Sequence, residues 1–144
     1  MKSVLILNGP NLQRLGSREP EIYGTVNYEQ LVSTLEKEGS GIGVKVAVWQ
    51  SDSESELISW LHEAADSATD VIFNPAAFTH YSYALADACK ILTSAGAKLI
   101  EVHISNPHSR EEFRRNSVIS PVATGVIAGF GVDSYLLALR QLSA

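Results

Sequence analysis

The strongest constraint on the fold is the alternation of two patterns along the chain. Five short apolar runs at positions 4–7, 44–49, 71–76, 98–104 and 124–131 are each followed by a segment in which apolar residues recur with helical spacing. Strands and helices that alternate in this way form a parallel sheet with helices on both faces. The sequence therefore predicts an α/β fold with one doubly wound, five-stranded parallel sheet, in a single domain over residues 1–144.

Capping signals mark three of the predicted helix starts, because a short polar side chain precedes Glu or Gln by three residues. The pairs are Asn27 with Gln30, Ser53 with Glu56, and Ser109 with Glu112. They predict helices in YEQLVSTLEKE, ESELISWLHEAAD and REEFRRN, and HYSYALADACKIL and DSYLLALRQL supply two more. Because no helix is expected before Asn27, a long loop should occupy LNGPNLQRLGSREPEIYG, at positions 7–24. Loops of that length are commonly functional.

Composition and charge exclude several classes of function. The formal net charge of the 144 residues is −5, which disfavours non-specific nucleic-acid binding because that requires clustered Lys and Arg. No apolar run is long enough to span a bilayer, and MKSVLILNGP resembles a strand more than a signal peptide. The single cysteine, Cys89, gives no disulfide framework. We expect a cytoplasmic protein that binds neither nucleic acid nor a membrane.

Polar residues follow four of the predicted strands and should meet at the carboxyl edge of the sheet, where doubly wound folds bind ligands. They are Asn8 and Asn11, then Gln50, Ser51 and Asp52, then Asn74, Thr79 and His80, and finally Glu101, His103 and Ser105. Asn8, Ser51 and Asp52 are better explained as turn formers. The set as a whole predicts a site at this edge.

Glu101 and His103 interrupt an apolar run, and residues two apart on a strand face the same side. A carboxylate there can orient the imidazole and raise its basicity, which would make His103 a proton donor or acceptor. The alternative is a core histidine, but Glu101 would then be buried without an evident partner. His80 has a similar position after the third strand, whereas His62 suits a surface helix and His108 a loop.

The basic residues and the missing motifs restrict the chemistry further. No lysine is placed for Schiff-base chemistry, since all five lysines begin strands or lie within helices. Three arginines at the active edge favour an anionic substrate: Arg18, Arg110 and Arg114. The first loop lacks GxGxxG and GxxxxGK[ST], and Pro10 removes a donor that a phosphate cradle would use. The histidines lack metal-ligand spacing. These residues favour acid–base catalysis without a cofactor or metal.

Several motifs, in order across nearly the whole chain, resemble the type II 3-dehydroquinate dehydratase family. They are LNGPNL followed by LG.REP..YG, QSDSE.EL, NP.A.TH, EVHISN.H.REEFR and A.G.I.G.G. The resemblance implies a flavodoxin-like fold with strand order 2-1-3-4-5 and a homo-oligomer, a dodecamer built as a tetramer of trimers. It also implies elimination of water from 3-dehydroquinate to give 3-dehydroshikimate, through an enolate and without a cofactor.

The same resemblance implies a role for each matching residue. Tyr23 would remove the C2 proton as a tyrosinate that Arg18 stabilises, on a lid that closes over the substrate. His103, oriented by Glu101, would protonate the departing C1 hydroxyl. Asn11 would hold a water at the enolate oxygen, and the backbone N–H groups of Ile104 and Ser105 would bind the substrate carboxylate. The ring hydroxyls would be bound by Asn74, His80 and Arg114. Asp87 would reach the site from a neighbouring subunit.

Four positions depart from the pattern of the family: Ala76 replaces the usual glycine, Tyr81 and Tyr83 replace Thr and Val, and Ala86 replaces a frequent Arg. They cluster in the segment that approaches the neighbouring subunit, so we expect them to affect the contacts of Asp87. Two other functions stay open. A quinate-like binder without catalysis would not need Tyr23 or the Glu101 and His103 pair, and a nucleotide- or flavin-binding domain would need a phosphate loop.

Overall fold

The computed structural model describes residues 1–17 and 19–144, and its sheet has the topology that the resemblance implied. Five parallel strands pair in the order β2-β1-β3-β4-β5. They are β1 (Lys2–Asn8), β2 (Val44–Gln50), β3 (Asp70–Asn74), β4 (Leu99–His103) and β5 (Gly125–Ala128). The strand order reverses between β1 and β3, which places the topological switch point at the ends of these two strands. The predicted doubly wound, flavodoxin-like sheet is confirmed.

Helices cover both faces of this sheet. They are α1 (Pro20–Tyr23), α2 (Tyr28–Gly41), α3 (Glu54–Ser67), α4 (Tyr83–Ser94) and α5 (Asp133–Ser143). Along β1, Val4 and Ile6 pack with residues of α2 and α5, whereas Leu5 and Leu7 pack with residues of α3 and α4. Successive strand residues face opposite sides, so a run that is apolar at every position fills two cores at once.

Two of the three predicted helix caps are confirmed. At the start of α2, the Asn27 side chain accepts the Gln30 N–H at 2.8 Å, and the Gln30 side chain accepts the Asn27 N–H at 2.9 Å. At the start of α3, Ser53 Oγ accepts the Glu56 N–H at 3.3 Å. The hydrogen bonds at these two caps satisfy backbone N–H donors that the first helical turn leaves unpaired.

The third predicted cap, at Ser109, is wrong, and so is the α-helix expected in REEFRRN. Ser109 ends a 3-10 helix, Pro107–Ser109, whose first turn is capped by Asn106. The backbone is then extended at Arg110, and a second 3-10 helix spans Glu112–Arg115. The extended residue separates two short turns, so no continuous helix can form between them.

The prediction that no helix precedes Asn27 is also wrong. A 3-10 helix, Leu12–Arg14, and the single-turn α1 lie within the first loop, and the buried side chains of Leu12 and Leu15 anchor this loop to the core. Gly9 brings the loop against the end of β3: its N–H donates to the Asn74 carbonyl at 2.8 Å, and a Cβ there would lie 2.5 Å from the Pro75 oxygen. Only glycine permits that approach.

The segment after β3 differs from the prediction in a way that matters for the site. The strand ends at Asn74, as predicted, but a 3-10 helix spans Ala76–His80 and Ser82 caps α4, so the helix predicted in HYSYALADACKIL begins only at Tyr83. Thr79 and His80 therefore lie in this 3-10 helix at the edge of the sheet, before the start of α4. Within the described part of the chain, no helix combines the length and the apolarity needed to cross a membrane.

Candidate active site

A cleft opens at the carboxyl edge of the sheet and collects eight of the residues that the sequence predicted for the site. These are Asn11, Tyr23, Asn74, His80, His103, Ile104, Ser105 and Arg114, and Arg110 lines the cleft with them. Glu101 lies behind His103. Asp87 is exposed on α4 and does not line the cleft of its own chain, and Arg18 lies outside the described residues.

His103 and Glu101 form the predicted pair at the end of β4. The Nε2 atom of His103 lies 2.5 Å from Oε2 of Glu101, whose side chain is about 1% exposed. Because an ionised carboxylate can only accept, Nε2–H is the donor in this contact. The imidazole is 12% exposed and lines the cleft, so the ring reaches the site instead of ending in the core.

Hydroxyl groups complete the surroundings of the Glu101 carboxylate. Thr79 Oγ1 donates to Oε2 at 2.6 Å, Ser120 Oγ donates to Oε1 at 2.5 Å, and Ser117 Oγ lies 3.0 and 3.2 Å from the two oxygens. Burial by itself would raise the pKa of Glu101, but the hydrogen bond and charge of His103 and the bonds from Ser120 and Thr79 outweigh it and lower that pKa. The carboxylate is therefore ionised.

Arg110 joins the first loop to the end of β4. Its guanidinium carbon lies 5.2 Å from the centre of the Tyr23 ring, its Nη1 donates to Ser105 Oγ at 3.2 Å, and its Nη2 lies 3.8 Å from Glu19. The sequence placed Arg110 at the active edge, among three arginines that favour an anionic substrate, but assigned it no individual role. The structure adds it to the site, because a largely buried guanidinium beside a phenol ring supplies positive charge where a tyrosinate would form.

The floor of the cleft is a buried chain of hydrogen bonds that begins at Asn74. Its Nδ2 donates to the Tyr135 hydroxyl at 2.7 Å, and that hydroxyl donates to Asn8 Oδ1 at 2.7 Å. Its Oδ1 accepts the Ala76 N–H at 3.1 Å. Burial raises the pKa of Tyr135, which keeps this hydroxyl protonated. Sequence reasoning missed Tyr135 because an aromatic residue in an apolar helical pattern is indistinguishable from ordinary core.

Asn11 is held at the mouth of the cleft by the end of β2. Its backbone is left-handed, with φ of 71°, and its N–H donates to Asp52 Oδ1 at 2.9 Å. Gln50 Nε2 donates to the same Asp52 oxygen at 3.0 Å and to the Gly9 carbonyl at 3.1 Å. Asp52 thus has a structural role, but instead of only forming a turn it holds the first loop, 41 residues away in sequence.

His80 and Arg114 face the cleft from the other side of His103. His80 Nδ1 lies 2.8 Å from the Asn116 carbonyl, which must accept, so Nδ1 carries the proton and Nε2 of the neutral ring is an acceptor. Burial lowers the pKa of His80, and the positive charges of His103 and Arg114 act in the same direction. The guanidinium of Arg114 lies 4.7 Å from the Phe113 ring centre and donates from Nε to Glu111 at 3.0 Å.

Two of the four departures from the family pattern have a visible consequence. Ala76 lines the cleft with φ of 52°, in the left-handed region that favours glycine. Tyr83 is 73% exposed at the start of α4, close in sequence to the exposed Asp87.

Among the described residues, no group of three or more His, Cys, Asp or Glu side chains is arranged to hold a metal ion.

Together the fold and the cleft define a doubly wound α/β protein whose sheet edge carries a histidine–carboxylate pair, a tyrosine and two arginines. That set suits acid–base chemistry on an anion. The family model for class II dehydroquinases matches residues 2–143. The chain belongs to the class II dehydroquinase family, as its motifs predicted.

Individual relatives match over the same extent. A 3-dehydroquinate dehydratase of Salinispora tropica is 56% identical over 141 residues, which are 98% of this chain and 96% of that protein. A 3-dehydroquinate dehydratase of Mycobacterium tuberculosis is 56% identical over 140 residues, which are 97% and 93% of the two chains. The crystal structure of a type II dehydroquinase from Propionibacterium acnes superposes with a TM-score of 0.96 at 51% identity, covering 99% of this chain and 97% of that one.

Proposed function

We propose that the protein is a 3-dehydroquinate dehydratase, a lyase that removes water from 3-dehydroquinate to give 3-dehydroshikimate. The observation that carries the proposal is the convergence of Tyr23 and the Glu101-supported His103 on one cleft, in a chain of this family. A base and an acid on the same cleft can act on two neighbouring carbons of one substrate.

The first step is removal of a proton from C2 by the phenolate oxygen of Tyr23. The electron pair of the broken C–H bond moves into the C3 carbonyl and forms an enolate. Tyrosine ordinarily titrates near pH 10, so a phenolate at neutral pH requires positive charge nearby. Arg110, 5.2 Å from the ring centre, supplies one such charge, and Arg18 is proposed as a second. A water held by Asn11 stabilises the enolate oxygen.

The second step is loss of the C1 hydroxyl. His103 donates a proton to this oxygen, the C1–O bond breaks, and water leaves. The enolate collapses to a C3 carbonyl, and its electrons form the C1–C2 double bond. Glu101 fixes the imidazole and stabilises the charge that His103 carries before it donates.

The remaining residues hold the substrate. The backbone N–H groups of Ile104 and Ser105 are proposed to bind the carboxylate at the end of β4. The ring hydroxyls are proposed to bind Asn74, His80 and Arg114. Since Nδ1 of His80 donates to a backbone carbonyl, its Nε2 is left as an acceptor for one hydroxyl.

Assembly and location also belong to the proposal. Asp87 lies on the exposed side of α4, away from the cleft of its own chain, which supports a role in the cleft of a neighbouring subunit. The proposed homo-oligomer is a dodecamer, a tetramer of trimers. A cytoplasmic location, expected from the single cysteine, stays a prediction.

The test is turnover of 3-dehydroquinate, followed by the ultraviolet absorbance of the conjugated enone in the product. We expect product with no added metal or cofactor, in the presence of a chelator, and after treatment with borohydride in the presence of substrate. His103→Asn is the inactive control. Binding without turnover would favour a quinate-like binder, and visible absorbance from bound flavin would favour a signalling domain. A reduced lysine adduct in the mass spectrum would contradict the mechanism.

A further inference from the structure

The Glu101 carboxylate has more donors than the orientation of one histidine requires. Besides His103, it contacts the hydroxyls of Thr79, Ser117 and Ser120 at 2.5 to 3.2 Å. We call these three hydroxyls the hydroxyl cage. A carboxylate has about four acceptor positions, and the cage together with His103 occupies them.

Backbone hydrogen bonds hold the cage in place. Ser117 Oγ accepts the N–H groups of Ile119 and Ser120 at 3.1 and 3.0 Å, which turns the chain so that Ser120 points at Glu101. The Val118 N–H donates to the Thr79 carbonyl at 2.7 Å and ties this turn to the segment before α4. The cage is thus assembled from separate parts of the chain around one buried charge.

We propose that the hydroxyl cage sets the proton affinity of the Glu101 and His103 pair, and thereby the pH range over which His103 can donate a proton. Each hydrogen bond to the carboxylate spreads its negative charge and weakens its hold on the imidazolium. Without the cage, the carboxylate would hold the proton on His103 more tightly, and His103 would be a weaker acid. Thr79, Ser117 and Ser120 are positioning residues, since they act through Glu101.

The pattern of contacts supports a tuning role. Thr79 donates to Oε2, the same oxygen that contacts His103, whereas Ser120 donates to Oε1. Both hydrogen bonds act on one delocalised negative charge, so removal of either should shift the titration midpoint of His103 in the same direction. The hydrogen bonds of Ser120 and Thr79 also lower the pKa of Glu101, against its burial.

Other charged or titratable groups face the pair and stay unchanged in the test. The cleft contributes Tyr23, His80, Arg110 and Arg114. An adjoining cavity of about 380 Å³, next to β5, contributes His108 and Arg115. Cys89 lies behind Glu101 on α4. Their fields act on the wild type and on each variant alike. A difference between the two therefore reports the missing hydroxyl.

The test is an NMR titration of His103 in protein with isotope-labelled histidine, with His103→Asn used to assign its signal. We expect Ser120→Ala and Thr79→Val each to raise the titration midpoint of His103 by about half a pH unit to one pH unit. Ser120→Thr and Thr79→Ser keep the hydroxyl and should restore the wild-type midpoint. In the pH profile of kcat, the alkaline limb should move to higher pH in Ser120→Ala and Thr79→Val, and should stay unchanged in Ser120→Thr and Thr79→Ser.

Ser134→Ala is the matched control, because this buried serine accepts the Phe130 N–H at 3.1 Å and has no hydrogen bond to Glu101. Its midpoint should equal that of the wild type. An unchanged or lowered midpoint in both cage variants, or an equal rise in Ser134→Ala, would overturn the inference. The inference rests on the proposed function only for the role of His103. A shifted midpoint in a protein that does not turn over 3-dehydroquinate would count against the function alone.

Discussion

The Nε2 atom of His103 lies 2.5 Å from the Oε2 atom of Glu101, across two residues of one strand. The period of two puts both side chains on the same face of β4, so the buried carboxylate and the imidazole at the cleft are paired by the strand itself. The negative charge of Glu101 therefore lies in the core, and because Nε2 of His103 is bonded to it, Nδ1 is the ring nitrogen left for proton transfer in the cleft.

The first prediction is that His103→Asn lowers kcat by at least about 100-fold with little change in KM. General acid catalysis contributes roughly that factor or more, and protonation of the leaving hydroxyl matters mainly in the transition state. Steady-state kinetics on 3-dehydroquinate measure both constants. His62→Asn is the control, since His62 is exposed on α3. Wild-type kcat in His103→Asn would make His103 a structural residue.

The second prediction compares an arginine of the cleft with an exposed arginine on α5. Arg110→Gln should lower kcat/KM and move the acidic limb of its pH profile to higher pH, because it removes a cation beside Tyr23. Arg140→Gln should do neither, since Arg140 is exposed on α5 and does not line the cleft. The measurement is kcat/KM against pH for both variants. Equal effects would show that only the overall charge of the protein matters.

Much of this arrangement could be predicted from the sequence, because strand ends in a parallel sheet share one edge. Asn74 and His103 meet there for that reason, and the 3-10 helix Ala76–His80 brings His80 beside them. The short turns could not be predicted, since Leu12–Arg14 and Pro107–Ser109 depend on local caps and on tertiary anchoring. The extended backbone at Arg110 overrode the capping signal at Ser109. A helical pattern can predict that Tyr135 is buried, but only the fold shows that its hydroxyl meets Asn74.

The third prediction concerns Tyr23 and Arg18, which the family resemblance places in one proton abstraction. Tyr23→Phe should be nearly inactive, and Arg18→Lys should lose most activity, because an ammonium cannot reproduce the planar donor fork of a guanidinium. The double variant should be little worse than the poorer single variant, as is typical of groups that act as a unit. The values to compare are kcat/KM for both singles and the double. Strictly additive losses would contradict a shared step.

The fourth prediction is that activity requires assembly. If Asp87 completes the cleft of a neighbouring subunit, dilution that dissociates the oligomer should abolish turnover, and Asp87→Asn should raise KM in the intact assembly. Light scattering and turnover should be measured on the same samples. Asp66→Asn is the control, because Asp66 is exposed on α3 and does not line the cleft. Fully active monomers would refute a shared site.

The last prediction concerns the strained backbone at Ala76. Its φ of 52° costs a residue with a side chain roughly 1–2 kcal/mol, whereas glycine adopts this conformation freely at the expense of greater freedom in the unfolded chain. We therefore expect Ala76→Gly to cost no stability, although it loses a half-buried methyl group. Ala77→Gly, in the same 3-10 helix, should lower the free energy of unfolding by about 1 kcal/mol, or the Tm by roughly 2–4 °C. Thermal unfolding of the two variants measures the difference. Equal losses would show that the left-handed backbone at Ala76 stores no strain, and that the glycine usual in the family at this position is not selected for its conformation.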